Sequence, residues 1–111
     1  MAEDVAELFA KIRDFEWDPA KREQVLRERH IDFQDMRLVF AGPTFIRRSD
    51  RKGETRYMVF GFLEDIEIVF VCTFRGTRAN ICHVISARRA RRDERKKYHS
   101  RLSRRPAEGQ D

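Results

Sequence analysis

Apolar residues first recur regularly near the start of the chain. Val5, Leu8, Phe9 and Ile12 stand at i, i+3, i+4 and i+7, which predicts a short amphipathic helix over residues 3–13 that docks on the core. Phe15-Glu16-Trp17 breaks that period and reads as a short extended segment. Asp18-Pro19 then opens a second helix over 19–29. An aspartate side chain accepts orphan backbone N–H groups, and proline at the first helical position lacks a donor that would have had no partner there. His30, just past that helix, is a non-glycine residue where left-handed backbone is needed, at a cost of about 1 kcal/mol. A third helix over 33–41 is expected from the Asp32 cap, apolar Phe33, Met36, Val39 and Phe40, and the stop at Gly42-Pro43.

After the polar loop 49–54 the pattern changes to alternating or continuous apolar runs. TRYMVFGFL, IEIVFVCTF and ANICHVIS read as strands joined by tight turns at Glu64-Asp65 and Arg75-Gly76-Thr77-Arg78. Connections this short imply antiparallel neighbours, because parallel pairing needs a crossover. Phe45–Arg48 is a candidate edge strand. The expected fold class is α+β: a small antiparallel sheet of three to four strands flanked by two N-terminal helices, an extra N-terminal helix and a basic C-terminal helix. That last helix begins between Ser86 and Arg91. Asp93 and Glu94 favour the later start because acids suit a first turn, although Arg91 is a poor cap. Ala90, Glu94, Tyr98 and Leu102, spaced by four, share one of its faces.

Composition adds two constraints. With 111 residues, 41% hydrophobic and nine Phe, the chain has apolar material for one core, so residues 1–102 are expected to form one domain, with 103–111 as a frayed polar tail. The net charge is +5, but residues 88–105 carry ten Lys/Arg against two acids, a local +8 that leaves the remainder at −3. Basicity concentrated in one region suits a polyanion partner. An acidic N-terminus and the lack of a long apolar run point to a cytoplasmic protein with no membrane association. Cys72 and Cys82 read as small buried hydrophobes; without neighbouring His pairs they suggest neither a zinc site nor a disulfide framework.

Three segments complete the reading: FEWDPAKREQVLRERHIDFQDMRLVFAG, GETRY and ISARRARRDERKKY. In this order and spacing, over about residues 15–98, the chain resembles the BrnT family of toxins from bacterial type II toxin–antitoxin pairs. The resemblance implies a RelE-like fold and metal-independent endoribonuclease activity that needs no cofactor. It also implies a BrnA-like, DNA-binding antitoxin that neutralises the toxin, with operator DNA reached only through that complex. Matching positions are Trp17, Asp18, Pro19 and Lys21; Gly53, Glu54 and Arg56; and Ser86, Ala87, Arg88, Ala90, Glu94 and Tyr98. The chain departs from the family at Val25, where Asn is common, at Glu28-Arg29-His30, where Lys-His-Gly is common, and at His83, where Arg is usual. An acid–base role of the usual histidine therefore does not carry over to Arg29.

Metal-independent RNA cleavage requires a deprotonated 2′-hydroxyl, stabilisation of the extra charge on phosphorus, and a protonated 5′-oxygen. Arginine suits the second task, since its planar fork grips two phosphate oxygens and keeps its charge. Arg88 is the first candidate, with Arg56 as its partner on the same phosphodiester. Glu54, Glu94 and Lys21 are candidate bases, and Tyr98 or His83 could supply the last proton. Structural roles stand beside these: Glu94 as a first-turn partner of an arginine, Tyr98 as a core anchor, Trp17 as packing, Asp18 as a cap and His83 as a partly buried strand residue. Arg89, Arg91, Arg92, Arg95 and Lys96, with Trp17 and His83, are the candidate RNA contacts. A non-catalytic module that binds nucleic acid or an antitoxin is the alternative reading.

Overall fold

The structure, a computed structural model, describes residues 5–102. Residues 3 and 4 of the first expected helix, the Leu102 side chain and the tail 103–111 lie outside the described residues. The elements run α1 (Val5–Ala10), β1 (Asp14–Trp17), α2 (Pro19–Arg29), a 3-10 turn (Phe33–Asp35), α3 (Met36–Val39), β2 (Phe45–Arg48), β3 (Tyr57–Leu63), β4 (Ile66–Arg75), β5 (Ile81–Arg89) and α4 (Arg92–Leu102). Among the described residues, no helix is long and apolar enough to cross a membrane.

The strands form one five-stranded sheet in the order β1-β5-β4-β3-β2. This corrects the expected three or four antiparallel strands. The Phe15-Glu16-Trp17 segment belongs to β1, which pairs in parallel with β5, Asp14 opposite Ile81 through Trp17 opposite Val84. The long route through the rest of the chain supplies the crossover that a parallel pair requires. The other pairings are antiparallel. Between β4 and β5 the register slips: Cys72 faces Val84 while Val71 faces Ser86, so Ile85 has no opposite residue and forms a bulge.

Local signals explain the helix ends. The Asp18 carboxylate accepts the Ala20 N–H, Pro19 opens α2, and His30 closes it at φ 60° with its N–H donating to Leu26. The expected helix over 33–41 is instead a 3-10 turn followed by one short α-helical turn. The Asp32 side chain accepts the Gln34 N–H, which favours the tighter turn, and Gly42-Pro43 leaves too little length to propagate a helix.

Side chains alternate across the sheet to build two apolar clusters. On the helical face, Tyr57, Val59, Ile68, Phe70, Cys72, Cys82, Val84 and Ala87 pack under Val25 of α2 and Phe33, Met36 and Val39 of the following turns. Phe9 docks α1 there, its ring 5.0 Å from Phe74 and 5.5 Å from Tyr57. On the opposite face α4 covers one end only, through Tyr98 and Ala90 against Phe60 and Val69. Among the described residues, no other helix lies on that face.

Gly61 of β3 marks the tightest approach between sheet and helices. A Cβ there would stand 2.5 Å from Val39 Cγ1, and Val39 is fully buried with a stiff β-branched side chain. Gly61→Ala is expected to lower stability by about 1–3 kcal/mol, read as a lower urea midpoint at unchanged slope. Adding Val39→Ala should cost less in that background than in the parent.

Candidate active site and nucleic-acid interface

The sheet face opposite α2 brings together four of the candidate residues, His83, Arg56, Glu54 and Arg88, with Arg88 at the end that α4 covers. Thr73 pairs with His83, Val71 with Ser86 and Val69 with Arg88, so these rows project from one face. His83 and Arg88 are five residues apart and would point to opposite faces of a regular strand. The bulge at Ile85 restores them to the same side. Arg47 joins them, since its partner Met58 lies on this face. Arg56 precedes β3 by one residue, and the alternation of the strand carries it to this side as well.

Each arginine of the expected pair has its own carboxylate. Arg88 forms a two-pronged bond with Glu94, Nη1 to Oε1 at 2.7 Å and Nη2 to Oε2 at 2.8 Å, with side chains 26% and 12% exposed. Glu94 Oε1 also accepts the Arg91 backbone N–H at 2.8 Å, so the carboxylate closes the start of α4 in place of the cap that Arg91 cannot provide. The Arg88 guanidinium, reinforced by the Arg91 N–H, holds the Glu94 carboxyl down at about 2. Arg56 Nε donates to Glu54 Oε1 at 2.8 Å, and Arg75 approaches Glu54 to 4.0 Å.

Arg88 and Arg56 do not converge on one point. Arg88 of β5 shares its row with Val69 of β4 and Phe60 of β3, and Arg56 lies four residues before Phe60, two strands away from Arg88. That is roughly 13 Å along the sheet. They share a face but cannot grip the same phosphodiester.

Tyr98 is buried, with its ring 4.1 Å from that of Phe60 and 5.0 Å from that of Phe45, and its hydroxyl accepts a bond from Arg47 at 3.0 Å. Arg89, Arg91, Arg92, Arg95 and Lys96 are exposed at the end of β5 and along α4, and Arg95 also donates to the Ala90 carbonyl. Lys21 and Trp17 stand apart from this group. Lys21 is exposed on α2, and Trp17 packs against the helical-face cluster with the Arg22 guanidinium 5.8 Å from its ring centre. Arg29 donates to the Ala87 carbonyl at 3.0 Å, tying the end of α2 to β5 beside Arg88. Among the described residues, no three His, Cys, Asp or Glu side chains gather as a metal site.

One group escaped the sequence reading. Glu16, directly opposite His83 in the parallel pair, brings Oε2 to 2.7 Å from His83 Nδ1. Only the β1–β5 register joins them, and nothing in the Phe15-Glu16-Trp17 segment signals that pairing.

The fold and site together define a small α+β protein with a mixed sheet, helix-covered on one side and arginine-bearing and largely open on the other. A family model described as the ribonuclease toxin BrnT of type II toxin–antitoxin systems matches residues 17–94, and the chain belongs to that family. A similar solved structure is the crystal structure of the Brucella abortus ribonuclease toxin BrnT, with 25% sequence identity and a TM-score of 0.55 over 71% of this chain and 97% of that one. No curated protein matches the sequence.

The Glu94 carboxyl, at about 2 in the fold against an ordinary glutamate value near 4.3, stabilises the protein above that ordinary value. Its contribution, roughly 3 kcal/mol, is lost as pH falls from about 4.3 through about 2. Glu94→Gln should therefore be less stable than the parent at neutral pH, with the difference closing towards pH 2, as measured by urea unfolding across that range.

Proposed function

We propose that the chain is an endoribonuclease toxin that cleaves RNA by attack of the 2′-hydroxyl on the adjacent phosphorus, without a metal, and inhibits translation and growth until an antitoxin covers its basic face. The observation carrying this reading is the set of guanidinium groups, Arg47, Arg56 and Arg88, that share one sheet face of a BrnT-family chain. Sheet-mounted arginines give RNA a charged track of fixed direction, and α4 extends it with exposed Arg91, Arg92, Arg95 and Lys96.

Separate ion pairs suit two different phosphates. Arg56 engages the phosphate that reacts, and Arg88 holds a neighbouring one. Each is held in place by a carboxylate until RNA competes for its donors. Glu94 acts by positioning Arg88, and Glu54 by positioning Arg56. Tyr98 anchors α4 under that track. Lys21 and Trp17, on the other layer, are left outside the chemistry and available to the antitoxin. Operator DNA is reached through the antitoxin complex, and the working compartment is the cytoplasm.

Antitoxin-free protein should cut RNA in excess EDTA and leave 2′,3′-cyclic phosphate ends, assayed by gel and by end-group chemistry. Arg56→Ala should lower the rate about 100-fold while circular dichroism stays unchanged. Activity that disappears with the chelator would overturn the mechanism. Intact RNA at confirmed soluble protein would favour a binding module instead.

A further inference from the structure

We propose that Glu16 and His83 act as a carboxylate–imidazole pair that moves the proton in RNA cleavage on this face, His83 as the catalytic base and Glu16 as the residue that positions it. The proposal rests on the ribonuclease reading above and deepens it.

Geometry carries the inference. The parallel β1–β5 pairing sets Glu16 beside His83, and Oε2 lies 2.7 Å from Nδ1. A carboxylate on Nδ1 fixes the neutral imidazole in the tautomer with its proton on Nδ1, leaving the lone pair on Nε2. Nε2 makes no hydrogen bond among the described residues. The imidazole is 18% exposed, so it is held by its surroundings yet reachable from solvent, while Glu16 is 43% exposed. Both rest on strands, and an imidazole locked between strand neighbours keeps its direction better than one on a loop.

The neighbours fit the task. Thr73 flanks His83 on β4, and one strand further Arg56 lies in the same row by the β3–β4 register. A phosphodiester lying across this row would meet a cation on one side and Nε2 on the other. Of the other candidates, Lys21 is exposed on α2 in the other layer, and the rest are engaged. Glu94 accepts three hydrogen bonds from Arg88 and Arg91, Glu54 is paired with Arg56, and the Tyr98 hydroxyl is bound by Arg47. A carboxylate bound to guanidinium is a poor base. Imidazole is the side chain whose ordinary titration lies nearest neutrality.

The step balances without a co-reactant other than water. Nε2 takes the proton of the 2′-hydroxyl, the 2′-oxygen bonds to phosphorus, and the bond from phosphorus to the 5′-oxygen breaks. The departing 5′-oxygen takes a proton from water, and the imidazolium returns its proton to the hydroxide so formed. Charged groups facing the imidazole are Glu16 and Asp14 from β1, Arg75 from β4 and Arg56 ahead of β3.

The test uses the full chain, single-turnover cleavage of a labelled oligoribonucleotide in EDTA across pH, and anisotropy binding to the 2′-deoxy form of the same oligonucleotide, which cannot react. His83→Gln should bind within about twofold of the parent, lose at least 100-fold in rate and lose the acidic limb of the pH–rate profile. Added imidazole should partly restore His83→Ala. Glu16→Gln should lose about tenfold in rate while its binding to the 2′-deoxy form stays within about twofold of the parent, because the imidazole is no longer held in its tautomer and direction. If His83→Gln fails to fold, the imidazole rescue and the Glu16→Gln rate at unchanged binding decide the question. A His83 variant that cleaves at the parental rate with an unchanged profile overturns the pair and leaves the ribonuclease reading standing. A parent chain that leaves RNA intact removes the ribonuclease reading first and the pair with it.

Discussion

The single unopposed residue in β5 decides which way the candidate side chains on that strand point. Without Ile85 as an extra residue, the alternation from His83 would bury Arg88 among the apolar side chains under α2 and turn Ala87 outwards. A buried guanidinium with no carboxylate would cost several kcal/mol, so the bulge is a condition of the fold as well as of the site. It also aims the chain into α4 at the height where Tyr98 can lie over Phe60. Bulges recur where a strand must redirect one side chain without breaking its ladder, and this one redirects the whole second half of β5.

The same region shows how one carboxylate serves two needs. The end of a strand and the start of a helix leave backbone donors without partners, and Arg91 has no acceptor with which to cap them. Glu94 accepts the Arg91 N–H and clamps Arg88 with both oxygens. The dense cationic stretch is therefore ordered by the acid placed inside it. Among the described residues, its other arginines and lysines are exposed to solvent, where charge repulsion is screened over about 8–10 Å at cellular salt.

Much of the local structure was legible in the sequence. Asp18 and Pro19 fixed the start of α2, His30 its left-handed end, and the two tight turns the three long strands. What escaped depends on contacts between distant segments. A four-residue strand has no periodicity of its own, and β1 becomes a strand only because β5 offers its edge. The third helix broke into shorter turns because its cap favours a 3-10 start and its stop comes early. For the proposed site, the sequence offered Arg56, Arg88 and His83 as candidates by residue type, region and family resemblance. Pairing, distance and face were hidden, since each depends on register and on the bulge. Glu16 was invisible for the same reason.

Arg29 illustrates how a departure within the helix-ending motif changes the surface. β1 covers β5 only as far as Val84, so the backbone from Ile85 to Arg89 faces outwards on that side like the rim of an unfinished sheet. Such a rim is a template on which a foreign strand could grow. The Arg29 guanidinium already occupies the Ala87 carbonyl there. A cation standing at that border deprives an incoming backbone of an acceptor and imposes a desolvation penalty, so the sheet is discouraged from extending into a neighbour at its own growing edge.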